Sequence, residues 1–80
     1  MARFDGKVVI VTGGGSGIGA TAARRFAADG ASVLVSDVVL AHAEAVAKEI
    51  VAARGKALAV RTDVAKEADV AALVDRAVAA

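Results

Sequence analysis

The chain has no cysteine, no proline, no tryptophan and no tyrosine. Without cysteine there is no disulfide framework and no thiolate nucleophile. The missing proline agrees with regular elements joined by short, glycine-bearing connections, and no low-complexity tail or linker is present. Only two phenylalanines occur, and much of the 58% hydrophobic fraction is alanine, so any core is built of small side chains. Charge of one sign is lacking too: ten Lys and Arg against nine Asp and Glu leave a net +1, with both signs scattered. A nucleic-acid surface would need a basic stripe. No stretch approaches the ~18 apolar residues of a membrane span. The N-terminal apolar run is too short for a signal peptide. The default expectation is a cytoplasmic protein. Eighty residues allow one small domain, and a chain of that size buries only about 60–65% of its unfolded surface.

What is present is concentrated in Lys7 to Gly19, KVVIVTGGGSGIG, where an apolar β-branched run meets Thr12 and then five glycines in seven positions. Beyond Gly19 the pattern becomes helical, with Ile18, Ala22 and Phe26 recurring every four residues. A strand that turns sharply into a helix needs residues able to take φ > 0. The first N–H groups of the helix lack intrahelical partners. Together with the helix dipole they form an anion site suited to a pyrophosphate. On this reading Gly13 makes the turn, Gly17 permits close approach of a ligand, and Gly19 lets the helix pack on the sheet. A flexible Gly/Ser linker would be neither entered by such a run nor left by an amphipathic helix. A P-loop needs Lys after its last glycine, whereas Ala20 follows Gly19. Gly17 to Ala22 fits GxGxxA, but that frame begins inside the helix and is an overlap without meaning.

The rest of the chain continues the alternation. Lys7–Thr12 reads as a strand, its unbroken apolar run suiting a parallel strand covered on both faces. A helix spans Gly17 to Ala28, stopped by Gly30. Ala31–Ser36 is a second strand, and a second helix runs from Leu40 to Arg54 with Gly55 at C′. Its apolar face is Leu40, Ala43, Val46, Ala47 and Ile50, with His42, Glu44, Lys48 and Glu49 toward water. Ala57–Arg61 is a third strand. A third helix starts near Ala65, with Val70, Leu73, Val74, Ala77 and Val78 inward. The order βαβαβα with right-handed crossovers gives an α/β fold: a three-layer Rossmann-like half-domain, its parallel sheet ordered 3-2-1. Ligand belongs at the carboxyl ends of the strands, where Thr12–Gly19, Ser36–Val38 and Thr62–Val64 fall.

Thr12-Gly13-x-x-x-Gly17-x-Gly19 resembles the TGxxxGxG fingerprint of the short-chain dehydrogenase/reductase family, and the resemblance runs from about Phe4 to the last residue. Asp37 lies 18 positions after Gly19. A dinucleotide fold places an acid about there to accept hydrogen bonds from the adenosine ribose. The same carboxylate repels a 2′-phosphate: at ~4–5 Å and an effective dielectric of ~20 the pair is worth about 3–4 kcal/mol, a hundredfold or more in affinity. Gly14, Gly15, Ser16 and Val38, where NADP-preferring relatives carry basic residues, are uncharged. NAD is therefore expected over NADP. The competing role for Asp37 is a cap on the second helix. The resemblance further implies that Asp63 bonds the adenine amino group while Val64 and Val38 line its pocket, that Ser16 bonds ribose or phosphate, and that Ile18 touches pyrophosphate and nicotinamide. Alternatively Asp63 caps the third helix and Ile18 packs under the sheet. Thr12 ties the loop to a later strand. His42 has no triad partner and reads as a surface residue.

The resembled family performs its chemistry with a Tyr and a Lys four residues apart, plus Ser and Asn, downstream of this segment. This chain contains no Tyr and no Asn, so no catalytic residue is assigned and no metal ligand is expected. The implied role is the NAD(H)-binding part, residues 1–80, of an oxidoreductase that moves hydride between nicotinamide and a small-molecule alcohol or carbonyl, often as a homo-oligomer. The alternatives are a stand-alone nucleotide-binding module and an inert truncated product. With three strands the first becomes an edge, so an exposed apolar patch is expected along Val9 and Val11 or their opposite-face partners.

Overall fold

The computed structural model describes residues 4–13, 15–63 and 66–79. The elements are β1 (Val8–Thr12), α1 (Gly17–Ala28), β2 (Ser32–Asp37), α2 (Leu40–Ala52), β3 (Lys56–Arg61) and α3 (Glu67–Ala79). All three strands are parallel, with β2 in the centre between β1 and β3. This is the expected Rossmann-like half.

The register fixes the two faces. Val9, Val11, Val33, Val35 and Asp37 share one face with Ala57, Ala59 and Arg61. Val11, Val33 and Val35 are buried there against Ala20, Ala23 and Ala27 of α1 and Ala43, Val46, Ala47 and Ile50 of α2. The other face carries Ile10, Leu34 and Ser36, with α3 against β1 and Leu73 buried. Burial follows the strand order. β2 is buried along nearly its whole length, while β1, an edge strand, buries only Val11. The apolar run of β1 therefore overstates its cover in this chain.

Two inward-facing assignments shift, Leu40 on α2 and Val70 on α3. The buried stripe of α1 is Ala20, Ala23 and Ala27, whereas Ile18 is 90% exposed and Ala22 and Phe26 are half-buried. Phe26 packs against the core and meets Phe4 edge to face, with ring centroids 5.2 Å apart. On α2 the inward face holds except at Leu40, which is exposed at the first turn. On α3 Leu73 is buried and Val70 exposed; the side chains of Val74 and Val78 lie outside those described.

Both crossover helices end the same way. The Gly30 N–H donates to the Ala27 carbonyl and the Ala31 N–H to that of Phe26, with Gly30 at φ +96°, a Schellman motif. At the end of α2 the Arg54 N–H donates to Val51 and the Gly55 N–H to Ile50. The C′ residue is thus Arg54, at φ +69°, not Gly55. Gly55 sits one position later for a steric reason: a Cβ there would stand 2.7 Å from Ile50 Cγ2.

Candidate cofactor site

The carboxyl ends of the strands converge on Asp37. It closes β2, only 9% exposed, and its groups bind three segments together. Oδ2 accepts from the Gly15 N–H at 3.1 Å, and Oδ1 accepts from the Val39 N–H at 3.0 Å. Its carbonyl accepts from the Thr62 N–H at 3.0 Å. Val39 is the N-cap residue of α2 and supplies no side-chain cap, so Asp37 does organise that helix start, from two residues upstream. The capping role and the ligand role are compatible, because a carboxylate has about four acceptor positions and the two N–H bonds occupy two.

Two glycines of the loop take positive φ. Gly13 has φ +64° and makes the turn out of β1. Gly17 opens α1 at φ +55°, and a Cβ built on it meets nothing within 4 Å. The constraint at Gly17 is therefore backbone conformation plus open space on its outer side. Ser16 is the N-cap in extended conformation, yet its hydroxyl makes no capping bond. The first turn holds no acidic residue either. Gly19 is half-buried in the first turn of α1.

Gly15 was not singled out by the sequence, and among the described residues of the loop it is the tightest point. A Cβ there would stand 2.5 Å from His42 Cβ, 2.7 Å from Asp37 Oδ2 and 2.8 Å from the His42 carbonyl carbon. The spacing of a glycine motif carries no signal for this, because the neighbour comes from α2, 27 positions downstream. His42 is exposed, with its Cβ and carbonyl carbon next to Gly15.

Ile18, at 90%, and Val38, at 52%, are apolar side chains turned to solvent beside the loop and the acid. Ile18 does not pack under the sheet. Asp63 lies two residues past the end of β3 rather than closing it, because the chain leaves the sheet after the Thr62 bond to Asp37. Its N–H donates to Asp69 Oδ2 at 3.0 Å and its carbonyl accepts from the Lys66 N–H at 2.9 Å. The turn at Asp63 thereby leads into α3, which starts at Glu67 rather than near Ala65. Val64 lies outside the described residues. Just beneath, the Ser36 and Thr62 hydroxyls are buried and find no hydrogen-bond partner among the described residues. No group of three or more His, Cys, Asp or Glu suited to a metal ion occurs among the described residues.

A parallel βαβαβα half with a glycine turn after β1 and an acid ending β2 defines a Rossmann-type nucleotide fold. Residues 7–80 match the family model described as short chain dehydrogenase, and the chain belongs to that family. It is 47% identical over 78 residues to the oxidoreductase YuxG of Bacillus subtilis (strain 168), covering 95% of this chain and 11% of that protein. It is 46% identical over 76 residues to 7alpha-hydroxysteroid dehydrogenase of Escherichia coli (strain K12), covering 95% and 30%. A solved 7alpha-hydroxysteroid dehydrogenase complexed with NADH and 7-oxo glycochenodeoxycholic acid superposes with a TM-score of 0.93 at 45% identity, over 98% of this chain and 31% of that one. The chain thus spans between a ninth and a third of the length of these relatives.

Proposed function

We propose that residues 1–80 form the NAD(H)-binding half-domain of a short-chain dehydrogenase/reductase that, as a complete protein, oxidises an alcohol or reduces a carbonyl. The observation that carries this reading is Asp37: a nearly buried carboxylate at the end of β2, hydrogen-bonded to the glycine-loop amide at Gly15, with acceptor positions to spare for a ribose diol. Around it, the uncapped first turn of α1 with Gly13, Ser16, Gly17, Ile18 and Gly19 would hold the pyrophosphate side. Val38, Asp63 and Val64 would surround the adenine. The bound nicotinamide supplies the hydride chemistry. This chain's own residues bind, orient and hold it, and the proton-handling groups belong to a segment with Tyr and Lys. NAD is favoured over NADP because Asp37 opposes a second negative charge and because a basic side chain at position 15 would collide with His42 and Asp37. No helix among the described residues is long and apolar enough to cross a membrane; a cytoplasmic, homo-oligomeric enzyme acting on a small molecule is the setting this reading supports.

Titration calorimetry tests the proposal. NAD binds the wild-type chain, and Gly17→Val, which places a branched side chain at φ +55° on the open side of the turn, reduces that binding by at least tenfold. Equal NAD affinity in a folded Gly17→Val protein, or no NAD binding by a folded wild type, contradicts it.

A further inference from the structure

We propose that Asp37 is also a positioning residue for the glycine loop: by accepting from the Gly15 N–H it holds the loop in the form that receives a phosphate, and this part of its contribution to binding does not pass through the ribose. The inference rests on the cofactor reading above and deepens it. Asp37 is nearly buried, and both carboxylate oxygens are engaged, Oδ2 by the Gly15 N–H at 3.1 Å and Oδ1 by the Val39 N–H at 3.0 Å. Its carbonyl accepts from the Thr62 N–H at 3.0 Å. The end of β2, the entry to α2 and the exit from β3 therefore fix where the carboxylate stands. The bond to Gly15 then reaches across 22 positions of sequence. A Cβ at position 15 would lie 2.7 Å from Oδ2, so glycine there lets the carboxylate come up to the main chain.

The loop has little else to hold it. Gly13 and Gly17, at φ +64° and +55°, bracket it, and glycine loses more conformational freedom on ordering than any other residue. Gly13 and Ser16 are exposed and Gly15 is half-buried, so these residues bring no apolar side chain to the core. The Ser16 hydroxyl makes no capping bond. Among the described residues of the loop, the only other hydrogen bond runs from the Ala20 N–H to the Ser16 carbonyl at 3.2 Å, and it stays at the start of α1. Gly17, Ile18 and Gly19 precede that bond, and their N–H groups are the ones without an intrahelical partner that a phosphate would meet. Charge and tie predict opposite signs. A carboxylate near a diphosphate opposes it, so removing the charge alone tightens binding. Removing the tie leaves the loop to be ordered on binding, which weakens it.

The test is titration calorimetry of the whole chain with ADP and with 2′,3′-dideoxy-ADP, which lacks the ribose hydroxyls, for wild type, Asp37→Ala and Asp37→Asn. Asn removes the charge but keeps an oxygen for the Gly15 N–H. Asp37→Ala should bind dideoxy-ADP about three- to tenfold more weakly than wild type, the range for one hydrogen bond. Asp37→Asn should bind it at least about threefold more tightly than Asp37→Ala does. If wild type binds ADP but not the dideoxy compound, if Asp37→Ala binds that compound as well as wild type or better, or if Asp37→Asn is as weak as Asp37→Ala, the positioning role is wrong. A second readout needs no variant. The backbone order parameter of Gly15 in the unliganded wild type should match the rigid backbone of β2, about 0.85, and a Gly15 clearly more mobile than β2 overturns the proposal whether or not the variants fold. If the folded wild type binds neither nucleotide, the cofactor reading fails and this inference fails with it.

Discussion

At Gly15 the missing side chain is a packing requirement, since a Cβ would run into the backbone of His42 as well as its Cβ. Backbone yields less readily than a side-chain tip, so Gly15→Ala should cost about 1–3 kcal/mol, the range for overpacking a filled site. Thermal or urea unfolding measures it, and a variant as stable as wild type would show that the loop and α2 are not held in contact. Asp37 illustrates what spacing can and cannot reveal. Its distance from the glycines identified the acid, because the length of a helix and a short strand fixes where β2 ends. Its bonds to Gly15 and Val39 depend on how two loops fold over the strand end, which no periodicity encodes. Ile18 was legible as a loop residue, but its exposure was not, because the helical repeat Ile18, Ala22, Phe26 is equally consistent with an inward stripe.

At the scale of elements, Ala20, Ala23 and Ala27 form the buried stripe of α1 with Phe26 packed at its margin, and only Ile18 of the larger apolar side chains points away. The boundaries of all six elements lie within about three residues of those expected, and the end of α2 shows why they differ at all. Helix termination is set by which residue takes the left-handed conformation, and here Arg54 takes it although a glycine stands next to it. A left-handed conformation costs a non-glycine residue about 1 kcal/mol or more, part of which glycine gives back through its freer unfolded chain. Arg54→Gly should therefore stabilise the protein by about 0.5–1 kcal/mol, raising Tm by about 2–8 °C for a domain this small. A lower Tm would mean that the Arg54 side chain makes a contribution the backbone argument omits.

Across the whole molecule the two sheet faces are unequal. The α1/α2 face is closed around Val33 and Val35, whereas on the other face Val8, at 40%, and Leu58, at 49%, remain exposed beside Leu34 in a shallow groove at the amino ends of the strands. The expected apolar patch is thus on the opposite-face partners of Val9 and Val11. Exposed apolar surface next to an unpaired edge strand favours association. Sedimentation of the isolated chain should show self-association that Leu58→Lys reduces; a stable monomer at high concentration would contradict it. The fold was legible because alternating runs and glycine stops specify βαβαβα and crossover handedness fixes the strand order. The uneven cover was legible only in part, since it depends on where α3 settles relative to β1 and β3.

The most direct test of the cofactor site is amide chemical-shift mapping of the labelled chain with NAD. The account predicts the largest changes at Gly13, Gly15, Gly17, Ile18 and Gly19, at Val38, and at Asp63, all at the carboxyl ends of the strands. Changes confined to the far end of the molecule, in the groove between α1 and α2 lined by Arg24, Ala28, Glu49 and Arg54, or no changes in a folded chain saturated with NAD, would contradict it.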